Sequence, residues 1–144
     1  MAAAAGFQNT GSAGGSNMVK LYQAVASEAG LSMDRKSKFN EAAEKRALAG
    51  GLPVIVWRRF SWERNAQHDR VATGRTTLPD PRSTVEAATW PGADAPLHAS
   101  ILTGYDANRG EVFFLESWTG RDKPRRMSFE EMAAMSYLVF IFDL

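Results

Sequence analysis

The segment LHASILTGYDANRGEVFFLESW, residues 97–118, sets a histidine near the start of one apolar run and a glutamate near the end of the next. An imidazole takes up and returns protons near neutral pH. A carboxylate beside it fixes its orientation and stabilises its charged form, which makes the two the base and orienter of a nucleophile–base–orienter set. Tyr105 and Glu111 flank Asp106, Asn108 and Gly110, which are turn residues, so a hairpin is expected over 98–105 and 111–118. If Tyr105 pairs with Glu111, His98 faces Trp118 and Ser100 faces Glu116, all on one face. Glu116 then lies diagonal to His98, about 7–8 Å away between backbones and within side-chain reach. A shift of register by one residue would move Glu116 to the other face and separate the pair.

Other residues compete for a chemical role. The chain has no cysteine, so thiolate nucleophiles, thiolate metal sites and disulfides are excluded. A hydroxyl nucleophile would have to be a residue such as Ser16, at the start of the first expected helix. Glu63, His68 and Asp69 lie close in sequence, but two histidines and no cysteine make a poor donor set for a metal, and a solvated loop is the expected setting for them. No metal or cofactor is expected. Trp57, Arg58, Arg59, Trp62, Arg64 and Arg70 interleave aromatic rings with positive charge, as surfaces that hold anionic ligands do. With a net charge of +1, a local partner-binding face is favoured over general nucleic-acid binding. Lys123, Arg125 and Arg126 read as a solvated strand edge.

The elements that would position these residues follow from pattern. Residues 1–16 are rich in Ala, Gly and Ser without a period and are expected to form a flexible tail, with a single domain over 17–144. A helix is expected from Ser16 or Asn17 to about Ala29, ended by Gly30, and a second from Ser37 to Ala49, ended by Gly50 and Gly51. PVIVWRRF, 53–60, is a strand buried on both faces. Residues 61–96 are mostly polar and carry Gly74, Pro79, Pro81, Pro91, Gly92 and Pro96, which predicts a long functional or mobile loop. Ser128 and Glu131 form a capping box that opens a short helix, and SYLVFIFD, 136–143, closes the chain as a strand. Helices first and strands later make this an α+β fold, with N-terminal helices packed on one antiparallel sheet. The start, MAAAAGFQNT, has no basic and apolar signal pattern, and no stretch reaches the ~18 apolar residues of a membrane span, so a soluble cytoplasmic protein without a membrane partner is expected.

HASILTGYD followed by EVFFLESW resembles the catalytic-histidine strand and the next strand of papain-like cysteine peptidases. The pattern is most similar to the bacterial branch related to double-glycine, bacteriocin-processing peptidases. LAGGLPVIVW, 48–57, resembles that branch's passage from a helix into the preceding strand, and RRMSFEEM, 125–132, resembles its closing strand-to-helix element. The likeness covers residues 48–143. It implies a papain-like half or truncated fold in which His98 takes the general-base position. Glu116 takes that of the orienting Asn or Asp, one methylene longer, and Trp118 shields the pair from water.

The family's cysteine opens a helix after an oxyanion-hole glutamine. Here Gln8 and Ser16 imitate that arrangement only loosely, at a longer spacing. GSAGGSN is a better match to the segment that follows the cysteine helix, which would put the cysteine-bearing segment before Met1. The expectation is therefore a domain that keeps the histidine half without its nucleophile. It would act in peptide or protein binding through Trp118, Trp57, Trp62 and Arg64, and self-associate as a homodimer to cover exposed apolar surface. The alternative is a hydrolase or acyl transferase that uses a hydroxyl, Ser16 or another, with His98 and Glu116.

Overall fold

The computed structural model describes residues 12–116 and 124–144, with side chains from Asn17 onward. In chain order the elements are α1 (Ser12–Glu28), β1 (Ser32–Lys36), α2 (Glu41–Ala49), β2 (Val54–Arg59), α3 (Trp62–Ala72), α4 (Thr84–Ala87), β3 (Leu97–Asp106), β4 (Glu111–Glu116), β5 (Arg125–Ser128), α5 (Phe129–Met135) and β6 (Ser136–Asp143). The fold is α+β. Its six strands are ordered β1-β6-β2-β3-β4-β5 in one sheet, and the β6–β2, β2–β3, β3–β4 and β4–β5 ladders are all antiparallel.

Two compact units divide the chain: residues 1–34 with 142–144, and residues 35–141. In the first, α1 starts at Ser12, inside the stretch expected to be a tail, and Met18 and Ala26 are its buried residues. Gly30, at φ +74°, takes the left-handed conformation that ends the helix, and Leu31 N donates back to Ala26 O at 2.8 Å.

In the second unit, Asn40 caps α2 by accepting from Ala43 N at 3.2 Å, so the helix starts four residues after the expected Ser37. It packs on the face of the sheet that carries Val54, Val56, Leu102, Val112, Phe114, Met127 and Val139, together with Phe129 and Met132 of α5. The other face is buried in part too: the Trp57 and Phe140 rings meet there at a tilt, their centroids 5.0 Å apart, as the continuous apolar run of β2 implies.

Two expectations fail. Residues 32–36 form a strand that was not anticipated. The region 61–96 is not one long loop, because Ser61 caps an eleven-residue helix, α3, through Arg64 N. The buried positions of α3 are Arg64, His68 and Val71. Two of those three inward residues are polar, so the apolar stripe by which an amphipathic helix is recognised is missing.

The hairpin forms where expected, with a correction to its register. Asp106 Oδ1 accepts from Asn108 N and Arg109 N, Gly110 sits at φ +66°, and the turn pairs Asp106 with Glu111 and Tyr105 with Val112. Carried straight along the strands, that register would set Glu116 opposite Ile101, on the wrong face. A β-bulge between Leu102 and Gly104, with Thr103 as the extra residue, changes it, so that Leu102 faces Phe114 and Ser100 faces Glu116. The bulge therefore restores the alignment of Glu116 with Ser100 that a straight pairing of Tyr105 with Glu111 would have produced.

Deleting Thr103 joins Leu102 directly to Gly104 in a straight ladder that keeps Leu102 opposite Phe114 and Ser100 opposite Glu116. We therefore expect the deletion to cost well under the roughly 3 kcal/mol of breaking a buried charge pair in urea unfolding. A loss of that size would show that the bend of the bulge, and not the register it sets, positions Glu116.

Candidate functional site

On the core face of the sheet, three strands continue from apolar to polar residues at the same end. Val56 is followed on that face by Arg58, Leu102 is preceded by Ser100 and His98, and Phe114 is followed by Glu116. Arg58 lies opposite His98 on the adjacent strand, and Ser100 lies opposite both Val56 and Glu116. All four polar residues are buried.

The carboxylate is the centre of the cluster. Glu116 Oε1 accepts from Arg58 Nη2 at 2.6 Å, and Oε2 is hydrogen-bonded to His98 Nε2. The Ser100 hydroxyl lies 3.2 Å from both carboxylate oxygens and accepts from Arg58 Nε at 2.9 Å, so its proton is directed to Glu116. Burial by itself pushes the Glu116 carboxyl upward. The hydrogen bond from His98 and the charge of Arg58 outweigh that and hold it below its ordinary value.

The structure thus brings His98 and Glu116 together. It adds Arg58, whose part in the cluster the sequence reading missed; the strand order that puts β2 beside β3 is what reveals it. Chemically, the cluster holds an imidazole against a fixed carboxylate. That carboxylate is already compensated by a guanidinium, which leaves it less charge to offer an imidazolium than an uncompensated orienter would have.

A second buried set lies nearby and was not anticipated. Arg64 binds Glu131 in bidentate fashion, Nε to Oε2 at 3.0 Å and Nη2 to Oε1 at 2.6 Å, while His68 Nε2 lies 3.2 Å from Glu131 Oε2. His68 was expected in a solvated loop; it is buried on α3, edge-on to the Phe114 ring at 5.6 Å. Burial holds His68 below its ordinary value in spite of Glu131, and because a carboxylate oxygen only accepts, Nε2–H is the donor in that contact. Its Nδ1 has no hydrogen-bond partner among the described residues. Glu131 would also be pushed up by burial, but hydrogen bonds from His68 and Arg64 bring it below its ordinary value.

The capping box is consequently only half used. Ser128 Oγ accepts from Glu131 N at 3.0 Å, and the Glu131 side chain goes to Arg64. The Arg58 guanidinium stands 5.1 Å from the centre of the Phe114 ring, so that ring separates the two sets.

The remaining candidates are dispersed. Trp57 and Arg64, expected on a binding face, are both buried, one in a tilted ring contact with Phe140 and the other in ion pairs. Trp62 is 70% exposed and meets Phe60 edge-on at 5.0 Å, and Phe60 in turn lies 5.2 Å from the His98 ring. Arg125, expected on a solvated edge, is buried and lies 3.6 Å from Asp69, whereas Arg126 is partly exposed near Glu111. Trp118 and Lys123 lie outside the described residues, as does Gln8. Ser16 falls within α1, but its side chain is not among those described.

Glu44, on the inward side of α2, is a third buried carboxyl. Neither of its oxygens has a hydrogen-bond partner among the described residues, and burial raises it to about 7. Among the described residues, no three of His, Cys, Asp and Glu converge as a metal site would require, and no helix is long and apolar enough to cross a membrane. No family model, curated protein or solved structure matches the chain.

Glu116→Gln should strand Arg58 in the core without a counter-charge and cost about 3–5 kcal/mol in urea unfolding. The pair of changes Arg58→Met and Glu116→Leu should cost much less. Equal losses in the two would show that charge compensation is not what matters.

The pH dependence carries a sign for each group. Glu116 and Glu131, depressed, contribute stability above 4.5 that is lost as pH falls below it. His68, also depressed, contributes above 6.5 and loses its contribution as pH falls below that. Glu44, raised, contributes fully below 4.5 and loses that contribution as pH climbs to about 7. The stability of Glu44→Gln relative to the parent should therefore rise between pH 4.5 and 7. A constant difference across that window would refute the assignment.

Proposed function

We propose that this chain is a peptidase-like α+β domain that binds a peptide or protein and does not cleave it. The observation that carries this reading is the closure of the polar cluster. Glu116 is engaged by His98, Arg58 and Ser100 at once, and the Ser100 hydroxyl serves the carboxylate and the guanidinium and not the imidazole. A nucleophile–base–orienter set needs the hydroxyl or thiol on the base. The chain holds no thiol, and the hydroxyl in this cluster is on the orienter.

The likeness of residues 48–143 to papain-like peptidases is supported by the hairpin that sets His98 and Glu116 side by side at one end of the sheet. On this reading the pair is an inherited arrangement kept for packing. Contact with a ligand falls to the aromatic ladder above it: exposed Trp62, then Phe60, then the His98 ring. A large amphipathic ring on the surface is a common anchor for a partner side chain.

The parent protein and His98→Gln should hydrolyse p-nitrophenyl acetate and a fluorogenic casein digest at the same background rate. Turnover by the parent that His98→Gln abolishes would overturn the reading in favour of a hydrolase that uses a hydroxyl nucleophile with His98 and Glu116.

A further inference from the structure

Between α3 and β3 the chain crosses residues 73–96 with one four-residue helix, α4, that contributes no buried residue. Its start and end are tied down. Gly74, at φ +78°, follows the α3 cap, Arg75 N donates to Arg70 O at 2.9 Å, and Phe60 N donates to Pro96 O at 2.9 Å. In between, the segment's own bonds are local, such as those of Arg82 to Asp80 and of Ala87 and Ala88 to Ser83 and Thr84. Among the described residues, the hydrogen bonds that join 76–95 to the rest of the chain all come from one atom. Arg64 Nη1 donates to Glu86 Oε1 at 2.9 Å and to Thr89 Oγ1 at 3.2 Å.

Apolar anchoring comes from Pro91, which is buried, and from Leu78 and Trp90, which are partly buried, while Val85 is 78% exposed. The Trp90 indole N–H is buried with no hydrogen-bond partner among the described residues. Docking the segment thus leaves a donor unsatisfied, and the Arg64 contacts are the polar attachment that offsets it.

The charges at the junction point the same way. Arg64 is already matched by Glu131, and the docked Glu86 carboxylate, its side chain only 9% exposed, is a second carboxylate on the same guanidinium. Release of the segment would leave the Arg64–Glu131 pair complete and send Glu86 to water. A contact that holds a segment closed without being needed by the core beneath it is a latch.

We propose that residues 76–95 are a strap that opens as a unit while the sheet stays folded, and that Arg64–Glu86 is its latch. Opening uncovers the Arg64–Glu131–His68 set, which the binding reading above does not use.

The test is amide hydrogen exchange in the full chain, comparing the peptide that covers 84–90 with one that covers 99–103 in β3. Glu86→Gln should speed exchange in 84–90 about tenfold, the factor expected when the acceptor of a charge-assisted hydrogen bond loses its charge, with exchange in 99–103 unchanged. Thr89→Val should give a smaller increase in the same peptide. The proposal is overturned if exchange in 84–90 does not change in Glu86→Gln, or if it rises by the same factor in both peptides. Failure of Glu86→Gln to fold overturns it equally, because a latch is dispensable to the body it closes.

Discussion

The Arg58–Glu116 ion pair is the constraint to which the core of the larger unit is fitted. Both side chains are almost wholly out of water, where an unpaired charge would cost several kcal/mol. The pair is tolerated only because three strands deliver its members to the same place. Arg58 comes from β2, His98 and Ser100 from β3, and Glu116 from β4. Each polar atom then meets another: guanidinium with carboxylate and hydroxyl, and carboxylate with imidazole. The bulge at Thr103 is part of the same requirement, since without it the turn's register would leave Arg58 facing a carboxylate on the wrong side of the sheet.

The second set repeats the solution with helices. Arg64 and His68 come from α3 and Glu131 from α5, so a buried carboxylate again holds an arginine and a histidine. Phe114 stands between the two sets, its face toward the Arg58 guanidinium and the His68 ring edge-on to it. An aromatic ring suits this place because its face attracts a cation while its bulk keeps the two charged groups apart. The core is therefore mixed, an apolar layer that passes at one end into compensated charge. Such a core specifies its own register: sliding any of these strands by one residue would bury an unmatched ion. Glu44 is the exception, a buried carboxyl with no described partner, and it responds by holding its proton more firmly.

The difference between what could be read in advance and what could not follows from these two sets. The hairpin, the closing strand, the Ser128 cap and the doubly buried β2 were legible, because alternation, turn residues and capping residues act over a few positions. α3 was not, because Arg64 and His68 stand where an amphipathic helix would show apolar residues. Those positions are inward only because Glu131, more than sixty residues away in sequence, comes to meet them. His68 was misplaced in a solvated loop for the same reason. The Glu131 carboxylate was expected to finish its own cap, and it leaves that task for a stronger, charged donor.

Residue types along the chain were enough to specify that His98 and Glu116 belong to one hairpin, that no thiol is present to join them, and that helices pack on an antiparallel sheet. These are matters of local pattern and covalent composition. Which face Glu116 takes, that Arg58 compensates it, and that Ser100 turns its hydroxyl toward the carboxylate were settled by strand order and by one bulged residue. Burial of a charge depends on partners brought from distant segments, and no periodicity within a segment records them.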